Sequence, residues 1–260
     1  MLGAGRLGGA LIEGWRLTAA FAPSDLIISD PHPGEAALAA RDAGARLNPD
    51  PSAFAEAGVV LLAVKPQVWR EAAAAHASRI SKQAVIVSVA AGVRGADISQ
   101  AFGGRPTARV MPITAVAVGQ GAAAIHAPDD RARAAAHALF DPVASAVDLE
   151  DEDLMDAVTA VCGSAPAYLY AFTEALEAAG EAEGLPREAA QTLARATMAG
   201  AAALMARSGE APSELRRQVT SPAGTTEAAL KVLMGEQGLG PLLRAAVAAA
   251  ASRSRELSKS

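Results

Sequence analysis

Two stretches of the chain carry residue types at spacings that chemistry can use. Near its start, MLGAGRLGGALIEGW sets Gly3, Gly5 and Gly8 in a G-x-G-x-x-G pattern. In such a turn the first glycine permits a tight bend, the second lets backbone approach a diphosphate, and the third lets helix and strand touch. The helix that follows aims its free amides at the anion. Asp30 ends LIISD 22 residues beyond Gly8, close to the roughly 20-residue spacing of an acid that accepts hydrogen bonds from ribose hydroxyls. A 2′-phosphate would meet like charge there, with only His32 to offset it and no arginine clamp following. Further on, LLAVKPQVW puts Lys65 and Pro66 after an apolar run, and VSVAAGV puts Ala90, Ala91 and Gly92 after another. In an open α/β sheet these are the strand ends where ligands collect. Toward the other terminus, VTSPAGTTEAAL at 219–230 leads into a helical run whose first amides suit a carboxylate. Each pattern also has a plainer reading. Glycine turns are common, Asp30 between Pro31 and Pro33 can simply end a strand, and T-S-P-A-G-T-T can serve only as a helix cap.

The elements that must position these residues follow two rhythms. In the first half, short apolar runs at 25–29, 59–64, 84–90, 108–111 and 121–127 alternate with helix-compatible segments at 6–20, 34–43, 68–80 and 96–102. Uniformly apolar strands separated by helices predict a parallel sheet covered on both faces, a doubly wound α/β domain. Beyond ASAVDLEDEDL the pattern is helical: one long stretch from Glu152 to Glu183, then LPREAAQTLARATMAGAAALMARSG, Thr225–Met234 and a final GPLLRAAVAAAASRSREL. The expected domains are 1–149 and 150–260, with Ser258–Ser260 fraying. The helical half is built of alanine and glycine, and only 3% of the chain is aromatic. Small side chains bury little area each, so this half is expected to gain burial against a second copy.

Composition removes several function classes. A net charge of -5 offers no general basic surface for nucleic acid. The single Cys162 cannot form an intramolecular disulfide, and no charged segment followed by an apolar signal core opens the chain, so a cytoplasmic location is expected. Val110 to Pro128 contains no Asp, Glu, Lys or Arg, but Pro112, Gly119, Gln120, Gly121 and His126 within it fit strands and loops of a soluble protein rather than a membrane helix. His76, His126 and His137 share no ligand spacing and no metal is expected.

VCGSAPAYLYAFTEAL at 161–176 and VTSPAGTTEAAL, taken with AVKPQ and ARVMP, resemble the pyrroline-5-carboxylate reductase family in order and spacing over essentially the whole chain. The resemblance implies a Rossmann N-terminal domain and an all-α C-terminal dimerisation domain, interlocked as a homodimer that can assemble further. It implies reduction of 1-pyrroline-5-carboxylate to L-proline by hydride from NADPH or NADH. By that likeness Ser221–Thr226 is the substrate loop: Ser221, Gly224, Thr225, Thr226 and neighbouring Val219 bind substrate, and the Thr226 hydroxyl faces the ring nitrogen. Gly3, Gly5, Arg6, Leu7, Gly8, Asp30, Ala63, Val64, Lys65, Pro66, Ala90, Met111 and Pro112 are the expected cofactor contacts. The family leans to NADPH, Asp30 to NADH.

The chain departs from the family pattern at several points. Ile113 and Ala115 replace a common Asn and Pro after MP, and Ile113 is expected to weaken nicotinamide placement. Cys162 stands where Ser is common, and Ala165 and Ala223 where Gly is common. Only Met1 and Leu2 precede Gly3, where a central strand of about 5–6 residues is expected; the expectation is a chain that begins late, with a shortened first strand. A non-catalytic dinucleotide-binding dimer, or a related two-domain NAD(P)-dependent dehydrogenase, are the alternatives. The latter should carry a lysine between Glu150 and Glu183, and none is there.

Overall fold

The computed structural model describes residues 1–257, so the fraying expected of Ser258–Ser260 lies outside the described residues. Contacts divide the chain into two units: Met1–Gly163 with the stretch from Ala250 onward, and Ser164–Ala249.

In the first unit the apolar runs become strands β1 (Ile27–Ile28), β2 (Arg46–Leu47), β3 (Val59–Leu62), β4 (Val85–Ser88), β5 (Thr107–Pro112), β6 (Gly121–His126) and β7 (Ala144–Asp148). The last five form one sheet in the order β3-β4-β5-β6-β7, and β1 pairs with β2 separately. All neighbours are parallel except β5 and β6. Side chains alternate across a strand, and the core records it. Leu61, Val85 and Val87 join a cluster with Leu11, Trp15 and Phe140, whereas Val60, Leu62 and Ile86 join one with Trp69, Ile98 and Phe102. Both faces are therefore covered by α1 (Arg6–Thr18), α2 (Glu35–Asp42), α3 (Trp69–His76), α4 (Gly95–Ala101) and α5 (Asp130–Phe140). The uncharged Val110–Pro128 stretch is the end of β5, a 3-10 turn and β6. Among the described residues no helix is long and apolar enough to cross a membrane.

The expected central strand is present in vestige. Leu2 bridges Ser29 on one side and Leu62 on the other, so Met1–Gly3 lies between β1 and β3 and links the two sheets.

Two expectations about elements change. The edge strand β7 forms from ASAVD at the anticipated boundary, half exposed. The single helix expected over 152–183 is broken into a 3-10 turn (Glu152–Leu154), α6 (Met155–Val158), a π-turn (Thr159–Gly163) and α7 (Ala165–Ala182). Pro166 lies in the first turn of α7, where its missing N–H and its ring bar a continuous hydrogen-bond ladder back to residue 162.

The second unit holds α7, α8 (Arg187–Ser208), α9 (Pro212–Gln218), α10 (Thr225–Leu233) and most of α11 (Leu239–Leu257). Its helices bury little by themselves. α7 and α10 bury no residue and α8 only Ala190 and Ala194, while Leu169, Tyr170, Leu193, Leu204 and Met205 stand exposed.

Candidate functional site

The glycine turn is shaped by backbone crowding. Gly3 has a φ of 89°, and a Cβ there would come within 2.9 Å of the Ala63 backbone and the Val64 side chain. A Cβ on Gly8 would lie 2.6 Å from the Gly3 carbonyl oxygen. Both positions therefore require glycine, one for conformation and one for helix–turn contact. Gly5 is different: nothing lies within 4 Å of where its Cβ would be. It is the N-cap of α1 and supplies no side-chain cap, so the first amides of that helix have neither an intrahelical partner nor an N-cap side chain to bond to. The turn is bounded by Arg6 and Leu7, the first helical residues.

Asp30, only 8% exposed, braces the turn. Its Oδ2 accepts the Ala4 N–H at 2.6 Å and its Oδ1 the His32 N–H at 2.8 Å. Asn48 holds the same residue's backbone at both ends, its Oδ1 accepting the Asp30 N–H and its Nδ2 donating to the Asp30 carbonyl. A carboxylate has about four acceptor sites, so capacity remains for a ribose hydroxyl. Asn48, with a φ of 48°, has no recognisable signal in LNPDP beyond its tolerance of left-handed backbone.

The remaining expected cofactor residues sit at strand ends. Ala63, Val64, Lys65 and Pro66 follow β3, with Lys65 exposed; Ala90 is buried after β4; Met111 and Pro112 close β5. The π-turn meets this rim: Cys162 Sγ lies 3.9 Å from the Met111 carbonyl and 3.8 Å from that of Ala122. Burial pushes the Cys162 thiol above its ordinary pKa, which disfavours the reactive thiolate. π-Turns are rare and favour functional positions. A second group missed by sequence reading is Glu152. It accepts the Gly95 N–H at 2.7 Å and pairs with Arg109 of β5 at 2.8 Å. Burial opposes its ionisation, but Gly95 and Arg109 outweigh that and hold its carboxyl below the ordinary value. In the sequence it was one acid among several in LEDEDL.

In the second unit, Ser221–Thr226 forms a turn feeding α10. Gly224 is the N-cap and provides no side-chain cap, so the threonine hydroxyls are not spent as caps. The Gly224 N–H donates to the Ser221 carbonyl. The first helical amides, on Thr225 and Thr226, are among those that a helix leaves without internal partners. Glu227 reaches back to the Ala223 N–H at 2.6 Å and pairs with Lys231 at 3.0 Å. Ala223 has a φ of 55°, the left-handed region in which a Cβ costs roughly 1–2 kcal/mol; that accounts for glycine being common at this position. Val219 is exposed at the end of α9.

Comparisons with known proteins place both halves. Residues 152–257 match the family model described as pyrroline-5-carboxylate reductase dimerisation, and residues 1–92 one described as NADP oxidoreductase, coenzyme F420-dependent. The chain is 39% identical to pyrroline-5-carboxylate reductase of Pseudomonas aeruginosa, covering 99% of this chain and 96% of that one. The Synechocystis enzyme of the same name is 38% identical over 100% and 97%. The chain belongs to the pyrroline-5-carboxylate reductase family. A solved structure of a pyrroline-5-carboxylate reductase from Coxiella burnetii superposes with a TM-score of 0.89 at 30% identity, covering 100% of this chain and 97% of that one. A Plasmodium falciparum pyrroline carboxylate reductase with NADP bound shares the fold, with a TM-score of 0.82 at 22% identity, over 99% and 96%. Among the described residues no group of three His, Cys, Asp or Glu side chains is placed to hold a metal ion.

Proposed function

We propose that this chain reduces 1-pyrroline-5-carboxylate to L-proline with NADPH or NADH, as its whole-length likeness to reductases of that name supports. The observation that carries the reading is the pair of uncapped helix N-termini, Gly5 before α1 and Gly224 before α10. One suits a diphosphate and the other a carboxylate, the two anionic groups that the reaction brings together.

The bound nicotinamide supplies the hydride. Gly3, Gly5 and Gly8 shape the backbone around the diphosphate, with Arg6, Leu7, Ala63, Val64, Lys65, Pro66, Ala90, Met111 and Pro112 lining the cofactor and Asp30 accepting from the ribose. The amides of Thr225 and Thr226, with Gly224, Ser221 and Val219 beside them, hold the substrate carboxylate. The Thr226 hydroxyl faces the ring nitrogen and stabilises its protonated form, in which the imine carbon is most electrophilic. Catalysis then rests on placement and exclusion of water rather than on a nucleophile. Ile113 in place of an amide weakens nicotinamide placement, so Ile113→Asn should raise cofactor affinity.

Functionally the chain divides into a cofactor domain, 1–149, and a substrate-binding dimerisation domain, 150–260. The apolar faces left open on α7 and α8 support a homodimer, with further assembly of dimers. The net charge of -5 and lone cysteine support a cytoplasmic protein without nucleic-acid partners. Purified protein should oxidise NADPH or NADH only when 1-pyrroline-5-carboxylate is present. A folded, dimeric protein with no such oxidation of either cofactor would overturn the proposal in favour of a non-catalytic nucleotide binder.

A further inference from the structure

The Asp30 carboxylate can be selective only as far as its position is fixed, and the residue that fixes it comes from the end of β2. We propose that Asn48 is the positioning residue for cofactor choice. By holding Asp30 at the end of β1 it keeps the carboxylate where a ribose 2′-hydroxyl can donate to it and a 2′-phosphate is repelled, so that this chain prefers NADH. This deepens the reading of the Gly3–Gly8 turn as a dinucleotide site and rests on it.

Asn48 continues a ladder that its own backbone abandons. Strands β1 and β2 pair in parallel, Ile27 opposite Arg46 and Ile28 opposite Leu47, and the Arg46 and Asn48 N–H groups donate to the Leu26 and Ile28 carbonyls at 3.0 and 2.8 Å. The next step of a parallel ladder would join the Asp30 N–H to the carbonyl of residue 48 and the Asp30 carbonyl to the N–H of residue 50. Asn48 instead turns left-handed, with a φ of 48°, and Pro49 follows. Its side-chain amide makes both bonds in place of backbone: Oδ1 accepts the Asp30 N–H at 2.9 Å and Nδ2 donates to the Asp30 carbonyl at 2.8 Å. Few side chains can do this. Glycine suits the backbone but has no amide, aspartate has the acceptor but no donor, and glutamine is longer.

Every polar group of Asp30 is consequently held, the N–H and carbonyl by Asn48 and the two carboxylate oxygens by the Ala4 and His32 N–H groups. A loose carboxylate could rotate away from a 2′-phosphate, whereas this one would give up two charge-assisted hydrogen bonds to do so. Nor can the backbone of Asp30 shift and carry the carboxylate with it while Asn48 grips both its ends. A 2′-phosphate brings roughly two negative charges, and the arginines of α2 and β2 are already engaged, Arg41 with Asp42 at 2.7 Å and Arg46 with Glu56 at 3.0 Å. One fixed group therefore accepts from the right ribose and repels the wrong one.

The test is direct binding of NADH and NADPH to the full chain, read by nicotinamide fluorescence with no substrate present. The wild type should bind NADH about tenfold more tightly than NADPH, and Asn48→Gly, which keeps the left-handed backbone and removes the amide, should cut that ratio several-fold. Asn48 is exposed, so the variant leaves no hole in the core, and amide hydrogen exchange should quicken at both Asp30 and Ala4. Asp30→Ser should abolish the preference, and adding Asn48→Gly to it should change the ratio no further, because the two residues act as one unit. Equal weakening of both cofactors by Asn48→Gly would leave Asn48 a structural residue only. Additive ratio shifts in the double variant, or wild-type binding indifferent to the 2′-phosphate, would equally overturn the proposal. A wild type that bound neither dinucleotide would remove the cofactor reading together with this one.

Discussion

The molecule sets the same local device in opposite surroundings. Gly5 and Gly224 each cap a helix in extended conformation without a side chain to close it, and each leaves amides for an anion. Around Gly5, α1 buries seven of its thirteen residues, and the turn is pressed between Ala63, Val64 and the carboxylate of Asp30. Around Gly224, α10 buries none, and the loop is held by its own Glu227 and Lys231. The turn proposed for the cofactor therefore takes its shape from the core, whereas the loop proposed for the substrate takes its shape from hydrogen bonds that water can contest. Crowding the packed side of the first, as at Gly8, should move stability and affinity together; removing an exposed polar group from the second, as at Thr226, should move affinity alone.

The largest effect expected from this contrast is at Gly8. Gly8→Ala forces a Cβ onto the Gly3 carbonyl and should cost about 1–3 kcal/mol of stability, together with dinucleotide affinity, read by urea unfolding and cofactor titration. Gly5→Ala should leave the unfolding midpoint unchanged while weakening the cofactor about tenfold, roughly 1.4 kcal/mol. If the two variants behaved alike, core control of the turn would be refuted. Asp30→Ser comes next. It removes the acceptor of two backbone N–H groups, at about 1–2 kcal/mol, and relieves repulsion of a 2′-phosphate. The ratio of kcat/KM for NADPH over NADH should rise, and an unmoved ratio would leave Asp30 a structural brace only.

In the substrate loop, Thr226→Val should lower kcat/KM for the imine about tenfold with cofactor affinity and midpoint unchanged. A parallel fall in cofactor affinity would break the separation. Ala223→Gly releases a left-handed alanine and should stabilise by up to about 1 kcal/mol, seen as a higher midpoint. The smallest effect is titration of Glu227. Lys231 first, then the Ala223 N–H, hold its carboxyl below the ordinary 4.5. The loop bracing is thus complete above that value and is lost as pH falls through the lowered one. Substrate affinity should decline in that acid range, and Glu227→Gln should flatten the decline.

The sequence made legible whatever depended on local pattern. Strands β3, β4 and β6 announced themselves as apolar runs and β5 as one interrupted by Arg109, and the glycine spacing located the turn because sterics leave few other residues for Gly3 and Gly8. Strand β7 escaped because ASAVD is short and half exposed at an edge, where pairing rather than burial makes the strand. The break at 159–163 escaped because alanine-rich flanks read as one helix, although Pro166 carried the signal. Asn48 and Glu152 escaped for a different reason: each acts on backbone groups far away in sequence, on Asp30 and Gly95, and nothing local encodes that meeting.

Leu2 sets an order of events on the growing chain. Its neighbours across the sheet are Ser29 and Leu62, and at 5–20 residues per second about 3–12 s separate its synthesis from that of Leu62. Through that interval the Gly3 turn lacks the Ala63 backbone and Val64 side chain against which it packs. The turn at Gly3 can therefore take its packed shape only once β3 has been made, so the shape of a motif near one end of the chain waits on residues remote from it in sequence.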